Sequence, residues 1–385
     1  MKKLRLFATA AFGVESVVAR ELKHLGYEDT VTDNGRIFFD GDMDAICRAN
    51  LWLRAAGRVH VLMGEFTAKT FDELFEKTKA IPWEEWLPKD VEFPVTGGCV
   101  KSTLMSISDC QSIIKKAIVE RLKKVYGIEI FPETGPRYRV DFNILKDQVT
   151  LSIDTSGSGL HKRGYRSLAY TAPIKETLAS ALILISHWSP GRFLIDPLCG
   201  SGTIPIEAAL MAKNKAPGLD RDFDCQEWPN IPKETWYRAL NEARDLMKPK
   251  PSGDVLIQGY DINPEAVSMA NYHARQAGVA DLVHIQTRDV RELSSKVKYG
   301  FIITNPPYGQ RIGEKKENNR LYENMGKSFE RLSTWSYYII NADSDFEKFF
   351  GRKADKNRKL YNGGLLCYYY QYFGPKPPRQ QDKEE

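Results

Sequence analysis

The sequence predicts a two-part α/β chain, in which an α+β region leads into an alternating strand and helix region closed by a hairpin. Three observations carry this. First, Arg192-Phe193-Leu194-Ile195 reads as a short buried strand, Asp196 to Gly202 as a glycine turn, and Thr203 onward as a helix with Thr203 at its cap. Second, strand and helix patterns alternate from Val255 to Phe350. Two β-rich runs, 358–361 and 365–373, then flank Asn362-Gly363-Gly364, a strong hairpin signal. Third, 385 residues exceed one ordinary core, so two or three domains are expected.

Composition narrows the function classes. Lysine and arginine exceed aspartate and glutamate by 55 − 50 = 5, which admits a nucleic-acid partner without requiring one. No apolar run reaches membrane length, so no membrane partner is expected. The six cysteines (47, 99, 110, 199, 225, 367) form no Cys-x-x-Cys and the six histidines no close pair, so no metal site is expected. The apolar start, 6–12, is broken upstream by Arg5 and continues into an amphipathic helix face (Val14, Val17, Val18, Leu22, Leu25), which argues against a cleaved leader and for a cytoplasmic protein with reduced thiols.

In chain order, residues 4–9 read as a strand, 14–25 as a helix closed by Gly26, and 36–39 as a strand after Asp33-Asn34-Gly35. A helix at 42–53 and a strand at 58–65 complete a small α+β sandwich of about 65 residues. The pattern restarts with a helix at 71–80, a strand at 93–101, a helix at 109–126 and a strand pair over 138–154. The long helix carries Lys115, Lys116, Arg121, Lys123 and Lys124, a solvated face or a phosphate-binding one. Ser156-Gly157-Ser158-Gly159 reads as a flexible joint. His161, Lys162, Arg163 and Arg166 around Tyr165 follow, a set that can grip a strand by charge and stacking. A helix fronted by Pro173 runs to about His187. After the glycine turn, 213–252 reads as an insertion packed near the active face, with a short helix at 234–247. Beyond it come strand 255–260, helix 265–276, strand 282–286, strand 300–304, helix 320–332, strand 335–340 and helix 343–350.

The chemistry sits in two motifs. Gly200 and Gly202 let the backbone turn sharply and approach a ligand, but Pro205 occupies the third position of a dinucleotide Gly-x-Gly-x-x-Gly, so that reading fails. About a hundred residues on stands Asn305-Pro306-Pro307-Tyr308. An acidic residue opening a Gly-x-Gly turn, followed by Asn-Pro-Pro-Tyr, resembles the class I S-adenosylmethionine-dependent methyltransferases that modify exocyclic amines. The layout of the first 155 residues, with Leu6-Phe7-Ala8-Thr9 and Phe66-Thr67-Ala68-Lys69-Thr70-Phe71, looks like the ferredoxin-like plus THUMP pair of an RNA methyltransferase family.

The resemblance implies a ferredoxin-like domain at 1–66, a THUMP RNA-binding domain at 67–155, a basic linker at 156–171, a Rossmann-like seven-stranded methyltransferase domain at 172–373 holding the 213–252 insertion, and a disordered tail at 374–385. Ligands of such a sheet bind beyond the strand ends, so Asp196, Asp261, Asp289 and Asn305 should share one crevice. Cys199, Gly200, Ser201, Gly202 and Thr203 would line the cofactor, with Lys175 from the preceding helix. Asp261, followed by Ile262, would accept from the ribose hydroxyls, Asp289 from the adenine amine, and Asp196 would face the methionine ammonium. A ring-conjugated amine is a poor nucleophile. The Asn305 oxygen and the Pro306 carbonyl would orient it, Pro307 stiffen the loop, and Tyr308 stack on the extruded base. The extension through Gly309-Gln310-Arg311, with Arg311 toward RNA, is typical within that family of enzymes making N2-methylguanosine, especially in 23S ribosomal RNA. Gln310 stands where glutamate is common. Two other readings stay open: an adenine-N6 DNA methyltransferase, and a non-catalytic RNA-binding or assembly factor.

Overall fold

A computed structural model describes residues 3–167, 174–248, 256–308 and 312–378. The chain divides into two units, one of Met1–Ala10, Ala19–Leu160 and Arg221–Glu242, the other of Ala11–Val18, His161–Asp220 and Ala243–Glu385.

The first unit is built on β1 (Leu4–Thr9), α1 (Glu15–His24), β2 (Val31–Asp33), β3 (Arg36–Gly41), α2 (Met43–Trp52), β4 (Val59–Thr67), α3 (Phe71–Ala80), β5 (Val95–Val100), α4 (Ile107–Tyr126), β6 (Arg139–Leu145) and β7 (Gln148–Asp154). Capping sets the helix starts: Asp42 accepts from the Ala45 amide and Thr70 from the Glu73 amide, while Gly127 ends α4 in the left-handed region. Along β6, Val140, Phe142 and Ile144 alternate into the core. The seven strands form one sheet in the order β2-β3-β1-β4-β7-β6-β5. The α+β run of the first 65 residues and the one after it thus share a sheet. The long strand β4 pairs with β1 at Val59–Val61 and with β7 from His60 to Thr67, which joins both halves into a single sheet.

The second unit continues with α5 (Glu176–Ser186), β8 (Leu194–Asp196), α6 (Thr203–Ala212), α7 (Lys233–Asp245), most of which belongs to the first unit, β9 (Ile257–Asp261), α8 (Pro264–Gln276), β10 (Val283–Thr287), β11 (Phe301–Thr304), α9 (Ile312–Glu330), β12 (Ser336–Asn341), α10 (Phe346–Phe350), β13 (Lys356–Asn362) and β14 (Leu365–Tyr372). Its sheet runs β10-β9-β8-β11-β12-β14-β13, parallel through β12 and antiparallel in the hairpin. An aromatic cluster including Phe193, Tyr260, Tyr322, Phe329, Tyr337 and Phe346 fills one face. Gly202 rather than Thr203 caps α6, α9 begins at Ile312 rather than 320, and α10 is five residues long.

Two expectations give way here. The joint at 156–159 is a buried turn: Ser156 is fully buried and donates to Asn50, Arg58 donates to the Gly157 carbonyl and Arg221 to that of Ser158. The middle of the 213–252 insertion, Arg221–Glu242, packs into the first unit. Trp228 stacks on Tyr138 with ring centroids 4.1 Å apart, Asn230 joins the Tyr138 hydroxyl to the Trp86 carbonyl, and Glu242 takes a two-point salt bridge from Arg48. Residues 173, 249–252, 309–311 and 379–385, which carry the helix-front proline, the end of the insertion, Arg311 and most of the tail, lie outside the described residues.

Candidate active site

The strand order of the second sheet reverses between β8 and β11, and ligands of such a sheet bind beyond the carboxyl ends of those strands. Four loops meet there. The turn after β8 is tied to β9 by the Cys199 amide donating to the Tyr260 carbonyl and the Gly200 amide donating to Asp261 Oδ2. β10 is tied in by the Arg288 amide on the Asp261 carbonyl, and β11 by the Thr304 hydroxyl donating to Asp196 Oδ1 at 2.6 Å. Asp261 is thus bonded to the turn that follows Asp196, and Asn305 follows the Thr304 that reaches Asp196.

Both turn glycines are required by geometry. Gly200 and Gly202 have φ of +50° and +81°, and a Cβ on Gly202 would sit 2.9 Å from the Ala270 Cβ. No side chain caps α6, so its first-turn amides are available to a polar group in the crevice. Sequence reasoning missed Gly259. A Cβ there would lie 3.1 Å from the Cys199 sulfur and 3.2 Å from the Pro205 ring, so β9 supplies the room that the absent third turn glycine would have given. A glycine inside a strand pattern was the available signal.

Asp261 is locked in place, one oxygen accepting from Gly200 and the other from the Asn263 amide, each oxygen keeping a lone pair for a ligand. The next residue, Ile262, is 65% exposed, an apolar surface at the strand end. Asp196 is buried, and burial pushes its carboxyl up to about 7 against the opposing pull of the Thr304 and Leu198 donors. Burial also raises the Cys199 thiol far above its ordinary range, so it is a packing residue rather than a nucleophile. Ser201 and Thr203 are buried in the turn, whose Ser201 carbonyl accepts from His273 Nδ1; Lys175 is exposed at the start of α5. Asp289 caps a short 3₁₀ turn and is held by Arg291 through its backbone and side chain, which depresses its pKa. The turn-capping role is the one its contacts serve.

The Asn305 side-chain oxygen is buried and has no hydrogen-bond partner among the described residues. Its loop is braced on both sides. The buried Tyr322 donates to the Pro307 carbonyl at 2.8 Å, and Asn362 of the hairpin donates to the Tyr308 hydroxyl at 2.6 Å. Burial pushes that hydroxyl up to about 12, so it stays protonated. Tyr322 was not singled out from sequence, and Asn362 only as part of the hairpin turn, because nothing local marks a residue 15 or 54 positions away as a brace.

The cationic residues separate into two groups. Arg163, predicted to face RNA, is buried against Glu207, which also accepts from Tyr165 and Ser180. Arg166 pairs with buried Glu176 and reaches Thr203. These two are corrected to internal braces of the glycine turn. Burial and nearby cations hold His161 at about 4, so it is neutral, while Lys162 is exposed. On α4, Arg121 is engaged by Glu84, Lys115 by Glu133 and the Phe93 ring, and Lys123 by Glu129. Lys116 lies over Phe75, and Lys124 is exposed.

Comparison with known proteins agrees with this architecture. The RlmL ferredoxin-like domain model matches residues 5–60, the THUMP domain model 68–154, and the model described as RMKL-like, methyltransferase domain, 163–371. "Putative RNA methyltransferase YpsC" of Bacillus subtilis is 49% identical over the full length of both chains. Ribosomal RNA large subunit methyltransferase K/L of Syntrophotalea carbinolica is 34% identical over 94% of this chain, which spans about half (53%) of that protein. The solved structure of SMU.472, described as a putative methyltransferase complexed with SAH, superposes with a TM-score of 0.92 at 42% identity, covering 98% of this chain and 100% of that one. One from Listeria monocytogenes, described as a predicted N6-adenine-specific DNA methylase, does so at 0.92 and 48%, covering 97% of each. By these matches the chain belongs to the THUMP-containing, RMKL-like family of RNA methyltransferases.

Proposed function

We propose that the protein methylates the exocyclic N2 amine of a guanine, in 23S ribosomal RNA, with S-adenosylmethionine as donor, in the cytoplasm. The observation that carries this is the buried Asn305 oxygen, an acceptor with no partner among the described residues, on the loop that follows β11. An unpaired buried acceptor costs about 1–3 kcal/mol, so a site that keeps one is built to receive a donor, here an amino hydrogen of the target base. Pro306 supplies a second acceptor and Tyr308 a ring for the extruded base.

The residues fit the cofactor. The open amides of α6, the left-handed glycines, the fixed Asp261 carboxylate and the exposed Ile262 offer polar, close-approach, hydroxyl-accepting and apolar surfaces in one crevice. When bound, S-adenosylmethionine supplies an electrophilic methyl group on a sulfonium. Asn305 then orients the amine lone pair, the braced prolines keep that geometry, and the nitrogen's surplus proton leaves to solvent, so no strong base is needed. Asp196 would favour the ammonium, and Lys175 would lie at the rim. Lys116, Lys124 and Lys162 supply cationic contacts for phosphate, with Arg311 beside the motif.

The RNA-named relatives and the THUMP match favour RNA, while the name carried by the Listeria structure favours an adenine N6 target. Digestion of RNA treated with the enzyme, followed by mass spectrometry of the nucleosides, decides between them. N2-methylguanosine supports the proposal, and N6-methyladenosine replaces it with the second reading.

A further inference from the structure

The hairpin that braces Tyr308 has an outward face. Residues alternate along β13, so Asn362 points with buried Leu360 toward the site while Tyr361 points away, cross-strand from Leu366. Tyr361 is 38% exposed and Leu366 37%. Phe12, 57% exposed, sets its ring edge-on to Tyr361 with centroids 6.2 Å apart. The pairing is built in. A Cβ on Gly13 would lie 2.1 Å from the Lys359 carbonyl, so only glycine lets this segment rest on β13, and Arg358 donates to Ser16 at 3.0 Å to hold it. The strand leading to Tyr361 is strongly basic, with five lysines and arginines against one aspartate between residues 351 and 361, and Lys356 and Lys359 are exposed.

Exposed aromatic rings beside exposed cations suit one ligand class well, an unpaired nucleotide stacked by its base and held by its phosphate. Tyr361 is the chain neighbour of the residue bonded to Tyr308, so this surface lies on the outer side of the hairpin that braces Tyr308. We infer that Phe12 and Tyr361 form a stacking platform for a nucleotide flanking the extruded guanine, with Lys359 on its phosphate. This rests on the RNA-methylating reading above. Displacing a flanking base from its stack would ease extrusion of the target, and the platform gives that base somewhere to go.

The test is fluorescence anisotropy of the full chain with a labelled single-stranded RNA of about 20 nucleotides, longer than the roughly 4–16-nucleotide footprint of a stacking platform. Phe12→Ala/Tyr361→Ala should weaken binding about tenfold, and Tyr361→Trp should preserve it, since stacking needs a ring. Lys359→Ala should flatten the salt dependence. Calorimetric affinity for S-adenosylmethionine should be unchanged in all of them. Wild-type RNA affinity in the double alanine variant would overturn the platform alone. Failure of the unaltered chain to bind RNA would defeat the RNA reading and the platform together.

Discussion

On the proposed function Asp261 and Asn305 act at different moments, and substitution should separate them. Asp261→Ala should weaken S-adenosylmethionine binding by about 1–3 kcal/mol in calorimetry, because it removes charge-assisted bonds to the cofactor and also frees the Gly200 amide. Asn305→Ala should leave that affinity intact while turnover falls at least a hundredfold, roughly 2.7 kcal/mol of transition-state alignment. The same variant relieves a buried unpaired oxygen, so its melting temperature should rise by about 2–4 °C per kcal/mol recovered. An inactive enzyme that also melts lower would count against the oxygen being held in reserve. Asp196 adds a pH signature. Its pKa rises from 3.8 to about 7 on folding, so its neutral form favours the fold. That contribution is full below pH 4 and is lost as pH rises through 7. Attraction for an ammonium runs the other way, so cofactor affinity should increase between pH 6 and 8 and flatten in Asp196→Asn. Calorimetry across that interval checks both.

At the scale of elements, β9 passes close against the glycine turn. Gly259→Ala should cost about 1–3 kcal/mol in denaturant unfolding through overpacking on Cys199 and Pro205, and Cys199→Ala should recover part of it; equal, additive losses would show that the two do not touch. Most elements were legible because their signals are local. β1 and α3 begin and end where periodicity and caps place them, and the turn, Asp261 and Asn305 fall at strand ends in both views. What escaped depends on partners distant in sequence. β2 is three exposed residues recognisable only by pairing with β3, and the single sheet of the first unit follows from β4 meeting β7 some 90 residues on. The linker arginines look like any basic run until Glu207 and Glu176 are seen beneath them.

For the whole molecule, the two units are not two successive stretches of sequence. A chain beginning at His161 keeps the glycine turn with its Arg163 and Arg166 braces but strips Trp228 of Tyr138 and Glu242 of Arg48. It should aggregate, whereas the same truncation with 221–242 replaced by a short Gly/Ser linker should stay in solution and bind S-adenosylmethionine. Light scattering and calorimetry on the pair make the comparison, and a well-behaved simple truncation would show that the insertion needs no partner.

That interleaving also sets an order of events during synthesis. The first unit is incomplete when its last strand, β7, leaves the ribosome, since the aromatic face around Tyr138 waits for Trp228 and its neighbours. By the time they arrive, β8 and the glycine turn have already been made. The first unit is thus finished only after assembly of the second has begun, and a ribosome that stops early leaves neither behind in working form.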